Sequence, residues 1–93
     1  MDKEIIKEKI KFMLIRRLML DIKEDDIKDD MILIGYDENG NGLGLDSIDI
    51  LDIIVGIKEE FGIKVTKEEN KKFIETVSSI ADYIADKLSI IDK

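Results

Sequence analysis

The sequence predicts an all-α fold: a small four-helix bundle with a long connection between helices 1 and 2 and a short third helix. Three observations predict it. Apolar residues recur at three-and-four spacing in separate stretches, the period that gathers side chains on one helix face. Start and stop signals, Asp46-Ser47, Gly62, Thr66 and Thr76, fall at the edges of those stretches. The chain has 93 residues, 44% of them apolar and 40% charged, which supplies one core and no second. Residues 1–93 are therefore expected to form a single domain. Isoleucine accounts for 19 of the apolar residues; it favours strands by intrinsic propensity, but the helical period of its spacing is the better witness.

The first helix is expected over roughly 3–20, with Ile6, Ile10, Met13, Leu14 and Leu18 on one face and Lys3, Lys7 and Lys11 on another. Its end carries no clear signal. A connection of about 26 residues follows, longer than most loops in compact domains, so it is either functional or pinned to the core. Ile22, Ile27, Met31, Leu33 and Ile34 are available to pin it, Asp25 to Lys28 suit a turn of helix, and Gly35 to Gly44 should be irregular. The second helix is the clearest. Ile50, Ile53, Ile54, Ile57 and Phe61 share one arc that must face the core, and Gly62 marks the stop. A short third helix is expected from Thr66, where Thr66-Lys67-Glu68-Glu69 matches a capping box, to near Phe73. The fourth starts around Thr76 and repeats Val77, Ile80, Ile84, Leu88 and Ile91 on a buried stripe.

Composition excludes most chemistry. With no Cys and no His, thiol catalysis, thiolate or imidazole metal sites and histidine-activated nucleophiles are unavailable. A net charge of −7 argues against nucleic acid, whose binders need a basic stripe to displace counterions. No stretch reads as a targeting signal or a stable membrane anchor, which makes the cytoplasm the expected compartment. The charge is uneven. Residues 1–20 carry six bases against three acids, residues 21–52 eleven acids against Lys23 and Lys28, and residues 53–93 eight acids against seven bases. The bases of the first helix, Lys3, Lys7, Lys9, Lys11, Arg16 and Arg17, read either as a solvated face or as partners that order the acidic connection.

Function concentrates in residues 42–65, where a Gly-rich loop delivers Asp46-Ser47 to the start of the second helix. Unpaired N–H groups and the helix dipole favour anions there, so a phosphodiester on Ser47 would be well placed. The plain alternative is that Asp46 or Ser47 only caps the helix. The rest of the helix argues for more than a cap: Asp49, Asp52, Glu59 and Glu60 lie opposite the Ile arc, with the apolar Ile48 and Val55 between them. Two apolar residues about two turns apart, ringed by acids beside a helix-start serine, look like a docking surface.

Gly44-Leu45-Asp46-Ser47-Ile48 resembles the attachment motif of acyl carrier proteins. The acidic helix, the Lys58-Glu59-Glu60-Phe61 ending, the short helix from Thr66 and Thr76-Val77 followed by Ala81-Asp82-Tyr83-Ile84 match that family's order over roughly 42–88. The resemblance implies that Ser47 carries 4′-phosphopantetheine donated by coenzyme A inside a separate phosphopantetheinyl transferase, with Asp46 and Ile48 flanking the attachment point. It implies that the arm's thiol holds acyl groups as thioesters and that the chain itself is no enzyme. It also implies that Asp49, Asp52, Val55, Glu59 and Glu60 face partners: the transferase and the acyl-loading, acyl-modifying and acyltransferase enzymes of lipid or related biosynthesis, through their basic patches. The carrier is expected to be a monomer, and Ile54, Ile57, Ile63 and Phe73 are candidates for lining a space for the acyl chain as well as plain core.

Three features depart from the commonest housekeeping carriers: an insertion around Tyr36 to Asn41, a basic first helix, and Thr66 where proline is frequent. They point to a specialised member. The insertion opens like a calcium loop, Asp37-Glu38-Asn39-Gly40-Asn41-Gly42, but the ninth and twelfth positions are Leu45 and Ile48, which offer no carboxylate, so a Gly/Asn turn is expected instead of a metal site. The competing functional class is an acidic four-helix interaction module in which Ser47 is never modified.

Overall fold

The computed structural model describes residues 2–66 and 71–91. Its core is carried by three α-helices, α1 (Lys3–Arg17), α2 (Ser47–Phe61) and α3 (Val77–Ile91), accompanied by two 3-10 turns, Glu24–Asp26 and Lys71–Phe73. The class is all-α as expected. The four-helix count is not met among the described residues: residues 67–70 of the expected third helix, with all of its capping box but Thr66, lie outside them, and its described end is the Lys71–Phe73 turn. Three residues close one i→i+3 turn and establish no α-helical repeat.

Asp2 starts α1 by accepting the Glu4 N–H at 2.9 Å. The helix stops at Arg17, about one turn before the expected end. Leu18 N–H reaches the Leu14 carbonyl and Leu20 N–H the Ile15 carbonyl, both at 3.0 Å, while Met19 takes φ 53. This is a left-handed termination with methionine where glycine is usual, so no glycine announced it.

α1 packs most extensively against α3 and also against α2. Ile6, Ile10, Met13 and Leu14 of α1, Ile53 and Ile57 of α2, and Val77, Ile80, Ala81 and Ile84 of α3 are buried together. Ile50, Ile54 and Phe61 pack at the margin of this core. The arc expected to face inward does so, and Gly62 caps α2 at φ 70 with its N–H on the Lys58 carbonyl. α3 begins on a reciprocal cap: Ser79 N–H donates to Thr76 Oγ1 at 3.0 Å and Thr76 N–H to Ser79 Oγ at 2.9 Å.

The long connection is pinned as anticipated. Ile27 and Leu33 are fully buried, with Ile22 and Ile34 packed beside them. Leu33 N–H donates to the Glu75 carbonyl (2.9 Å) and Ser78 N–H to the Asp29 carbonyl (3.0 Å), tying the segment to the approach and first turn of α3. Residues 32–35 run beside 43–45, paired in parallel at Ile34 and Leu45, with Leu45 N–H on the Leu33 carbonyl and Gly35 N–H on the Leu45 carbonyl, both 3.0 Å. Leu45 is buried, so the residue two positions before Ser47 is anchored in the core.

Lys7 and Lys11 both reach the Asp29 carboxylate, at 3.2 and 2.8 Å. Part of the basic face of α1 therefore does order the acidic connection. The bond from Lys11, aided by that from Lys7, holds the Asp29 carboxyl below the usual carboxylate range, and Asp29 raises the Lys7 ammonium in turn. Lys3 pairs with Asp82 of α3 at 2.7 Å.

Candidate functional site

Ser47 is the first residue of α2 and is exposed. Among the described residues nothing hydrogen-bonds its hydroxyl. Asp46 is the N-cap, with Oδ1 accepting from Ile48 N–H at 3.0 Å and Asp49 N–H at 3.1 Å, while Asp49 Oδ2 accepts from Asp46 N–H at 3.0 Å. This closed capping box corrects one expectation. Two of the N–H groups that would have favoured an anion at Ser47, those of Ile48 and Asp49, are already occupied by the Asp46 carboxylate, so they are not free to hold a phosphodiester there.

The loop before Ser47 is set by local hydrogen bonds. Asp37 Oδ1 accepts from Asn39 and Asn41 N–H, each at 2.9 Å, closing the inserted turn on itself. No group of three or more acidic side chains suited to a metal occurs among the described residues. Tyr36, 67% exposed, lays its ring where a Cβ on Gly44 would stand. Gly44 sits at φ 69, so both its conformation and the tyrosine require glycine there.

On α2, Ile48 is 73% exposed and Val55 45%, as their placement off the core arc required. Leu51 is 64% exposed between them and was missed, although it lies three residues after Ile48 and four before Val55, the spacing that puts all three on one stripe.

The acids behave differently from a ring of four free carboxylates. Asp49 is turned back into the capping box. Asp52 and Glu59 are both held by Arg17 of α1, whose Nε donates to Asp52 Oδ1 at 2.9 Å and Nη1 to Glu59 Oε2 at 2.7 Å. The Asp52 bond, followed by that from Glu59, raises the Arg17 guanidinium further above its ordinary value. Arg17 therefore pairs with α2 and not with the connection. The contact depends on Gly56, which is buried on α2: an added Cβ would lie 2.6 Å from Met13 Sδ and 2.8 Å from Arg17 Cδ. A glycine inside the best-formed helix was a legible sign of a close approach; Arg17 gave none, standing 35 and 42 residues from its partners.

Glu59 and Glu60 also line a groove of about 540 Å³ with Phe12, Met13, Arg16 and Arg17 of α1. The Arg16 guanidinium sits 5.5 Å from the centre of the Phe12 ring. The residues considered for an acyl space lie elsewhere: Ile57 and Ile63 are buried in the core, Ile54 and Phe73 flank it, and the Phe73 ring stacks on Tyr83 with centroids 3.8 Å apart.

The domain thus presents an exposed serine at a capped helix start, two residues beyond the core-anchored Leu45. Residues 8–84 match the family described as the phosphopantetheine attachment site. The chain is also similar to the acyl carrier protein of Buchnera aphidicola subsp. Acyrthosiphon pisum (strain 5A), 37% identical over 82 residues that cover 88% of this chain and 91% of that protein. The chain belongs to the acyl carrier protein family, whose members carry 4′-phosphopantetheine and are not enzymes.

Proposed function

We propose that Ser47 is the residue to which 4′-phosphopantetheine is attached, and that α2 is the face read by the enzymes that load, modify and remove the acyl group. The observation that carries this reading is the exposed, unpartnered Ser47 hydroxyl at the start of α2 in a chain of this family. In the attachment step Ser47 Oγ attacks the β-phosphorus of coenzyme A. The new Oγ–P bond replaces the bond to the 3′,5′-adenosine bisphosphate leaving group, and the hydroxyl proton passes to a base. Asp46 and Asp49 are engaged by the capping box, so the base comes from the transferase, and the chain contributes position and nucleophile only. The arm brings the thiol that a chain without Cys lacks.

Ile48, Leu51 and Val55 form an apolar stripe about 10 Å long by helical rise, suited to pockets on the phosphopantetheinyl transferase and on acyl-handling enzymes, with Asp52, Glu59 and Glu60 at its rim facing basic patches. The working form is a cytoplasmic monomer; among the described residues no helix is long and apolar enough to cross a membrane. The inserted loop around Tyr36 and the basic α1 support a carrier dedicated to a specialised product. Full complementation of a lost housekeeping carrier by this gene would overturn that last assignment.

Incubating the protein with coenzyme A and a phosphopantetheinyl transferase should add one phosphopantetheinyl increment to the intact mass. Ser47→Ala, with helical content retained, should add none. No increment on the unaltered chain, as an unmodified interaction module would give, or an increment that survives Ser47→Ala, refutes the assignment.

A further inference from the structure

Arg17 stands out because it spends its charge on two carboxylates of the proposed docking face. Its side chain is 27% exposed, against 36% for Asp52 and 62% for Glu59, and its stem crosses α2 at Gly56. The fork donates through two different nitrogens, at 2.9 Å to Asp52 and 2.7 Å to Glu59, so both acids are held at once in the planar geometry that guanidinium favours. Positions 52 and 59 are seven residues apart, two turns, and bracket Val55 on the exposed side of the helix. The pair plus Arg17 presents one net negative charge where the sequence promises two.

We propose that Arg17 is a specificity-determining residue that acts as an internal competitor for the cations of partner enzymes. A partner whose recognition depends on Lys or Arg at Asp52 and Glu59 must displace the Arg17 guanidinium, whereas one that docks on the Ile48, Leu51 and Val55 stripe meets no such barrier. The consequence is a carrier that ranks its partners by apolar fit more than by charge, because part of the attraction that steers basic surfaces is cancelled before encounter. This inference rests on the reading of α2 as the docking face, and it is independent of which residue is modified.

The test measures binding of a phosphopantetheinyl transferase with a basic docking patch by calorimetry, in a Ser47→Ala background and without coenzyme A, so that no transfer occurs whichever residue is modified. Arg17→Met keeps the aliphatic stem against Gly56 and removes the charge. It should tighten binding about five- to tenfold at low salt, and the gain should shrink as the ionic strength approaches 1 M, where the Debye length is about 3 Å. Arg17→Lys, which restores the charge, should return most of the original affinity. A merely structural role for Arg17 would not steepen the salt dependence. As a measurement needing no change at position 17, the Arg17 Nε–H resonance of the Ser47→Ala protein should leave its Asp52-bonded position when the transferase binds. Equal or weaker binding by Arg17→Met, absence of binding by both proteins, or an Nε–H resonance unmoved in the complex overturns the proposal. Failure of the Ser47 assignment is read separately, by mass, on the unaltered chain.

Discussion

Gly56→Ala tests how closely α1 and α2 approach. Two effects of opposite sign compete. Alanine in a helix interior gains about 1 kcal/mol over glycine, which would stabilise the protein if the site were open. It is not open, because the new Cβ would meet Met13 Sδ at 2.6 Å, Arg17 Cδ at 2.8 Å and Met13 Cγ at 3.1 Å. Met13 is itself buried, 3% exposed, and overpacking of this kind costs about 1–3 kcal/mol. The expected net effect is a loss of about 1 kcal/mol, or roughly 4–8 °C in Tm for a domain of this size. Urea or thermal denaturation followed by circular dichroism reads it directly. The decisive comparison is the same substitution made in Met13→Ala. That background is weakened by about 2–5 kcal/mol on its own account, but it has lost two of the three close contacts. Gly56→Ala should there become neutral or stabilising by up to about 1 kcal/mol, a coupling of about 1–2 kcal/mol between the two sites. An equal loss in both backgrounds would show that the reasoning from close approach is wrong.

Three further outcomes follow from the structure. Asp46→Ala removes the acceptor of two backbone N–H groups and should cost about 1 kcal/mol in denaturant stability, while Asp46→Asn should recover most of it; equal losses would show that the cap is not the cause. Met19→Gly should raise stability by about 0.5 kcal/mol, because relief of the left-handed backbone outweighs the added freedom of the unfolded chain, and Met19, 88% exposed, has little packing to lose; a fall in Tm would refute this. Asp29, whose carboxyl is held below its ordinary value of 3.8 by Lys11 and Lys7, contributes stability that is present above that value and lost as the pH falls through its lower folded value. The stability gap between the protein and Asp29→Asn should therefore be constant near neutrality and close in acid, and a gap that persists undiminished below the folded value would contradict it.

How much of this was legible in the chain differs from element to element. The start and end of α2 were readable because Asp46 and Gly62 act within a few residues of themselves. The end of α1 was not, since Met19 occupies the left-handed position and side-chain identity there gives no warning. The pinning residues of the connection were visible as apolar side chains in an otherwise polar stretch, and Ile27 and Leu33 proved fully buried. Leu51 could have been found from its spacing alone. The state of the acids could not: Asp49 is committed to a cap, and Asp52 and Glu59 to Arg17, a division that a charge count of the segment conceals.

What the sequence determined by itself was the all-α class, the position of Ser47 at a helix start, and the apolar and acidic character of the face beyond it. All of these rest on interactions within about one turn of helix, where chain connectivity alone brings the groups together. Only the tertiary structure decided that two of the anion-favouring N–H groups are already capped, that the connection is fastened to α1 through Asp29, and that Asp52 and Glu59 are paired with Arg17. For the last two the reason is distance along the chain. Arg17 meets Asp52 and Glu59 because the whole core sets the crossing of α1 over Gly56, and no local pattern near residue 17 encodes that meeting.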